Sequence, residues 1–119
     1  MDITRSHSSE RASKIVIHNG TIYLSGQVAN DVTGDIQAQT KDCLSKIDTL
    51  LAEVGSDKDH ILSTTIFIRD MKDFAAMNEI WNAWVADSPK PARACVSAEM
   101  ARREILVEFC TIAASKDRV

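Results

Sequence analysis

The stretch from Ile105 to Ala114 constrains this chain most, because it is apolar on both sides of a two-residue period. Read as a strand, it sends Ile105, Val107, Phe109 and Thr111 one way and Leu106, Glu108, Cys110 and Ile112 the other. Glu108 is the one charged residue in the run. A strand of this kind belongs in a sheet covered on both sides. With 119 residues the chain has one domain's length, and the rest of the sequence supplies two helices, enough for one face of a five-stranded sheet. The second face is left for other copies of the chain, and a closed cyclic homo-oligomer would bury those faces together.

The other elements follow from periodicity and turn chemistry. Ile15-Val16-Ile17 and Thr21-Ile22-Tyr23-Leu24 flank His18-Asn19-Gly20, and Asn-Gly between two β-prone runs signals a tight hairpin. After Ser25-Gly26-Gln27-Val28 and a polar loop through Asp35, Ile36, Cys43, Leu44, Ile47, Leu50, Leu51 and Val54 recur at helical spacing. Gly55 stands where a left-handed residue closes such a helix. Ile61 to Ile68 is rich in β-branched residues and reads as a strand. Asp70 to Asp73 turns the chain into a second helix with Phe74, Met77, Trp81, Trp84 and Val85 on one face. Pro89 and Pro91 end it. Two final strands, Ala92 to Ala98 and Ile105 to Ala114, complete an α+β order ββαβαββ with both helices on one side of a mostly antiparallel or mixed sheet. The segment 1–13 has no periodicity and is expected to be flexible, so residues 1–119 form a single domain behind a loose N-terminal arm.

Composition removes several classes. The 45% hydrophobic and 26% charged fractions are those of a globular domain. No apolar run approaches the roughly 18 residues that a membrane span needs, and the polar N-terminus lacks a signal-peptide pattern, so no membrane partner and a cytoplasmic location are expected. Cys43, Cys95 and Cys110 are odd in number, widely spaced and without a Cys-x-x-Cys pair, which fits that compartment. The net charge is −3 and the basic residues are scattered, the densest group being Arg93, Arg102 and Arg103 with Glu99 and Glu104 among them. A nucleic-acid partner is therefore not expected. His7, His18 and His60 have no metal-site spacing. Trp81 and Trp84 lie at helical spacing with Met77 and read as packing. Asp57-Lys58-Asp59 reads as a solvated turn, Gly26 belongs to no phosphate loop, and Ser25 lacks a histidine-and-acid partner set.

One constellation stands out. With a hairpin turn between Met100 and Ala101, Arg93 falls opposite Glu108, and cross-strand neighbours share a face. An arginine and a glutamate on an apolar sheet face have two readings. They form an ion pair at a subunit boundary, or the guanidinium holds a substrate carboxylate while the glutamate positions or activates water. Spacing alone leaves both open.

Tyr23-Leu24-Ser25-Gly26-Gln27-Val28, Gln39-Thr40, Ser63-Thr64-Thr65-Ile66-Phe67, Asp70-Met71-Lys72-Asp73-Phe74-Ala75-Ala76-Met77-Asn78, Pro91-Ala92-Arg93-Ala94-Cys95-Val96 and Val107-Glu108 occur in this order. Together, from about Ile15 to Ala114, they resemble the RidA family (YjgF/YER057c/UK114). The resemblance implies a chorismate-mutase-like fold and a homotrimer with clefts between subunits. It also implies cofactor-free, metal-free hydrolysis of reactive enamines and imines, of the 2-aminoacrylate and 2-iminopropanoate type, to 2-oxo acids and ammonia. By the same resemblance Arg93 binds the substrate carboxylate and Glu108 positions the attacking water. Cys95 contributes chiefly its backbone, Ser25 and Gly26 line the cleft, and Asn78 reaches the neighbouring subunit's site.

The resemblance fails at one point. Typical members have a Gly-Pro-Tyr-type segment before the first hairpin, with a tyrosine that closes the cleft. Here the stretch reads Ser8-Ser9-Glu10-Arg11-Ala12-Ser13, leaving His7, Ser9 or Arg11 as substitutes, and Tyr23 reads as structural. The departure motivates an alternative, a non-catalytic binding module for small carboxylated metabolites. A third reading, endoribonuclease, travels with the family name and is opposed by the net charge of −3.

Overall fold

The computed structural model describes residues 2–116. It holds six strands and two helices in the order β1 (Thr4–Ser8), β2 (Ser13–His18), β3 (Thr21–Leu24), α1 (Ile36–Glu53), β4 (Ile61–Ile68), α2 (Phe74–Trp84), β5 (Ala92–Ser97) and β6 (Val107–Ala114). One mixed sheet runs β1-β2-β3-β6-β4-β5, with both helices on one side. β4 and β5 are parallel and every other neighbouring pair is antiparallel.

The β2–β3 hairpin turns on Asn19 and Gly20, whose φ values of 53° and 79° are both left-handed. That is the backbone a two-residue hairpin demands, and Asn-Gly accommodates it. Asp35 caps α1, its Oδ1 accepting from Ala38 N at 2.9 Å. Gly55 ends the helix at φ 75°. The α1 stripe of Cys43, Leu44, Ile47, Leu50 and Leu51 is buried against Ile15, Ile22, Ile66, Val107 and Phe109 of the sheet. Burial holds the Cys43 thiol up at about 12, so it stays protonated and acts as a small hydrophobe.

β6 explains its own sequence. It lies between β3 and β4 in the middle of the sheet, with Val107, Phe109, Thr111 and Ala113 buried under the helices. Glu108, Cys110, Ile112 and Ala114 are half-buried on the opposite, open face. Pairing places Tyr23 beside Ile112, Phe67 beside Glu108 and Val96 beside Phe67 on that face. Tyr23 and Val96 are each 45% exposed. Among the described residues no element of the chain covers this apolar surface, as the double-sided pattern of β6 leads one to expect.

Three expectations need correction. The arm 1–13 is not structureless where it is described, since Thr4–Ser8 adds a sixth strand antiparallel to β2. Its residues are polar and mostly exposed, and an edge strand held by backbone hydrogen bonds leaves no hydrophobic period to read. The last two strands are not a hairpin, because β5 and β6 lie on opposite sides of β4. Strand–helix–strand through α2 makes β4 and β5 parallel neighbours, and the loop 98–106 then carries the chain across β4. Consequently Arg93 pairs with Thr64 and Glu108 with Phe67, and the two do not face each other.

Gln39 staples the loops to this frame. It is fully buried. Its Nε2 donates to the carbonyls of Val32, Gly34 and Glu104 at 3.2, 3.1 and 2.9 Å, and its Oε1 accepts from Leu106 N at 2.9 Å. Gln39→Ala would strand these backbone groups in a site too enclosed for bulk water. A loss of about 2–3 kcal/mol is expected, read as a lower urea midpoint with an unchanged slope.

Candidate active site

Two clusters of the expected residues form, one on each side of the sheet. The first is built on α2 and β5. Phe74, Asn78 and Trp81 stand one and two turns apart on one helix face, and that face meets Arg93 near the start of β5. Arg93 Nη1 donates to Asn78 Oδ1 at 2.7 Å. Its guanidinium carbon lies 5.9 Å from the Phe74 ring centroid and 5.4 Å from that of Trp81, within cation–π range. Trp81 is in turn stacked on Phe109 at 6.2 Å and 7°. Arg93 is nevertheless exposed, and among the described residues Asn78 is its one hydrogen-bond partner and no carboxylate is paired with it. The result is a fixed guanidinium with donors left for an anion from outside the chain.

Cys95 follows two residues later on the same face of β5, in register with Ile66. Burial raises its thiol above the ordinary value and the Arg93 charge pulls it back only in part. A protonated thiol is a poor nucleophile.

The second cluster is on the open face. Gly26 follows β3, where Gln27 and Phe109 exchange backbone hydrogen bonds of 2.9 and 3.0 Å. This bridge brings Gly26 against Glu108. A Cβ at Gly26 would collide with the Glu108 carboxylate and stand 3.1 Å from Cys110 Sγ. Glycine is needed here for space, and Glu108 occupies that space half-buried, with no cation paired to it among the described residues. Burial and the neighbouring Glu108 charge both raise the Cys110 thiol. Ser25 is committed to the frame, its Oγ donating to Ser13 O at 2.6 Å and its N–H to Lys14 O at 2.9 Å.

Of the six residues expected at the site, Arg93, Asn78 and Cys95 therefore gather on the helix side. Glu108 and Gly26 gather on the open side, with Ser25 tied to β2 beside them. The intrachain ion pair between Arg93 and Glu108 is absent. Sequence reasoning missed Phe74 and Trp81 as a shelf for the arginine, having placed both on one face of the second helix and read Trp81 as packing. Their seven-residue spacing around Asn78, facing a strand that bears a lone arginine, is the signal that marks them. His7, offered as a substitute for the missing tyrosine, instead bonds Glu53 Oε2 through Nε2 at 2.7 Å.

Two helices on one face of a mixed sheet, with polar residues divided between its two sides, define a chorismate-mutase-like α+β domain. The family model described as Endoribonuclease L-PSP matches residues 3–115. A RutC family protein of Haemophilus influenzae is 42% identical over 114 residues, covering 95% of this chain and 98% of that protein. A solved member of the YjgF protein family from Neisseria meningitidis superposes with a TM-score of 0.93 at 48% identity, over 99% of this chain and 98% of that one. A protein of the Rid family from Yersinia pestis superposes at 0.83 with 33% identity, over 90% of each chain. The chain belongs to the RidA/YjgF family, which includes the RutC proteins. No helix among the described residues is long and apolar enough to cross a membrane.

Proposed function

We propose that this protein hydrolyses small carboxylated imines and their enamine tautomers to 2-oxo acids and ammonia, in clefts between copies of a cyclic homotrimer. The observation that carries the reading is the pair of unpartnered charges, Arg93 held by Asn78 and two aromatic rings, and Glu108 held beside Gly26. They point to opposite sides of one sheet, so both reach one small substrate only when two copies contribute. The uncovered apolar face supplies the reason for copies to associate.

The chemistry asks little of such a site. An enamine gains a proton at carbon to become the iminium, whose carbon is already electrophilic. Arg93 holds the substrate carboxylate in a forked contact. Glu108 takes a proton from the water that adds to the C=N carbon, giving a carbinolamine. Glu108 returns that proton to the amine nitrogen, the C–N bond breaks, and the departing ammonia takes the hydroxyl proton as the C=O of the 2-oxo acid forms. The sum is iminium plus water giving ketone plus ammonium. Positioning and proton transfer account for the acceleration, and the residues present supply both.

The test generates imines in solution with an amino-acid oxidase and follows 2-oxo acid release. Wild-type protein is expected to accelerate release and Arg93→Ala to lose about 100-fold or more of that acceleration, with the oligomer intact by sedimentation. Full activity in the variant would refute the role of Arg93. Binding of 2-oxo acids that depends on Arg93, without turnover of any imine, would favour the binding-module reading. That reading is motivated by the segment Ser8–Ser13, which carries no tyrosine to close the cleft.

A further inference from the structure

A second concavity lies at the far end of β4 and β5, outside the clusters just described. It is an open hollow of about 540 Å³, lined by Arg69, Ser97, Glu99, Arg102 and Arg103, with Ala98 and Met100. Three arginines thus face one cavity against a single glutamate, in a chain whose net charge is −3. Arg69 is fixed in place, its Nη1 donating to Arg103 O at 2.8 Å and its backbone N–H to Leu106 O at 2.9 Å. Among the described residues none of the three guanidiniums is paired with a carboxylate. Like charges gathered around one hollow repel unless an anion enters, and the guanidinium fork suits phosphate oxygens held two at a time. The volume is that of a small-ligand site. Four residues of strand, about 13 Å, separate Arg93 from Ser97, so an occupant here would not fill the Arg93 cleft.

From this we infer that the cavity is a second site, independent of the deaminase cleft, for a small diphosphate-bearing ligand. Arg69 forms its fixed wall, Arg102 and Arg103 close it from the loop, and Ser97 offers a hydroxyl at the end of β5.

The test is calorimetric titration of the full chain with inorganic pyrophosphate at constant ionic strength. It uses wild type, the double variant Arg102→Ala/Arg103→Ala, and Arg93→Ala. Both loop arginines are exposed, so the double variant is expected to keep the wild-type melting midpoint. The expected result is saturable binding by wild type and by Arg93→Ala, weakened at least tenfold in the double variant. No binding, binding indifferent to the loop arginines, or binding lost with Arg93→Ala would overturn the inference. So would loop-dependent binding of a short single-stranded RNA with none of pyrophosphate. Because the readout is binding and not turnover, the site stands or falls separately from the proposed deaminase activity.

Discussion

Gly26→Ala is expected to lower imine turnover by about 100-fold while leaving the protein nearly as stable as before. The added methyl would occupy the place of the Glu108 carboxylate and come within 3.1 Å of Cys110 Sγ. The atom it meets is the end of a flexible side chain, so relief comes from swinging the carboxylate aside and not from moving the strands. Overpacking that relaxes so easily falls at or below the low end of the usual 1–3 kcal/mol. Catalysis is less forgiving, since displacing a water-positioning group by about 1 Å costs on the order of 100-fold. The loss should appear in kcat, with KM close to wild type because the substitution leaves Arg93, the carboxylate anchor held by Asn78, untouched. Steady-state kinetics on oxidase-generated imines, with a thermal melt alongside, makes the check. Unchanged kcat would show that the Glu108 carboxylate is not used where it stands.

Trp81→Ala is expected to have the largest effect on stability, about 3–5 kcal/mol. Trp81 is 5% exposed and joins three parts of the molecule. It stacks on Phe109 of the central strand, meets Trp84 at 5.5 Å, and carries Arg93 at 5.4 Å on its outer side. Removing the indole leaves a cavity beneath the site that neighbouring side chains cannot fill. Against the roughly 5–15 kcal/mol that holds a domain together, that is a large fraction. Urea denaturation measures it, and Trp81→Phe, which keeps a ring under the guanidinium, is expected to recover more than half of the loss. A cost below about 1 kcal/mol in the alanine variant would mean that Phe109 repacks without it.

How far the sequence reached depends on the range of the interaction. Local chemistry was legible. Asn19-Gly20 makes the hairpin, the α1 stripe is buried as spaced, Gly55 closes the helix, and Ile61–Ile68 is a strand with those bounds. β1 was not, because an exposed polar edge strand owes its place to backbone hydrogen bonds that side chains do not announce. The register around Arg93 was not either. A hairpin through Met100 and Ala101 is the short-range solution, whereas strand β4, helix α2 and strand β5 together call for a parallel crossover. Giving weight to that unit would have placed Arg93 beside Thr64 and turned it toward α2, where Phe74, Asn78 and Trp81 wait. The residue types of the candidate site were therefore readable, but their division between two faces was not.

That division has a consequence for how the proposed activity is inherited by an assembly. If each cleft takes its guanidinium from one subunit and its carboxylate from the next, a chain damaged in one half still lends the other half to its neighbour. Defects in Arg93 and in Glu108 then behave as complementary lesions. A random mixture of the two inactive chains would rebuild intact clefts at about one position in four by simple combination around a closed ring.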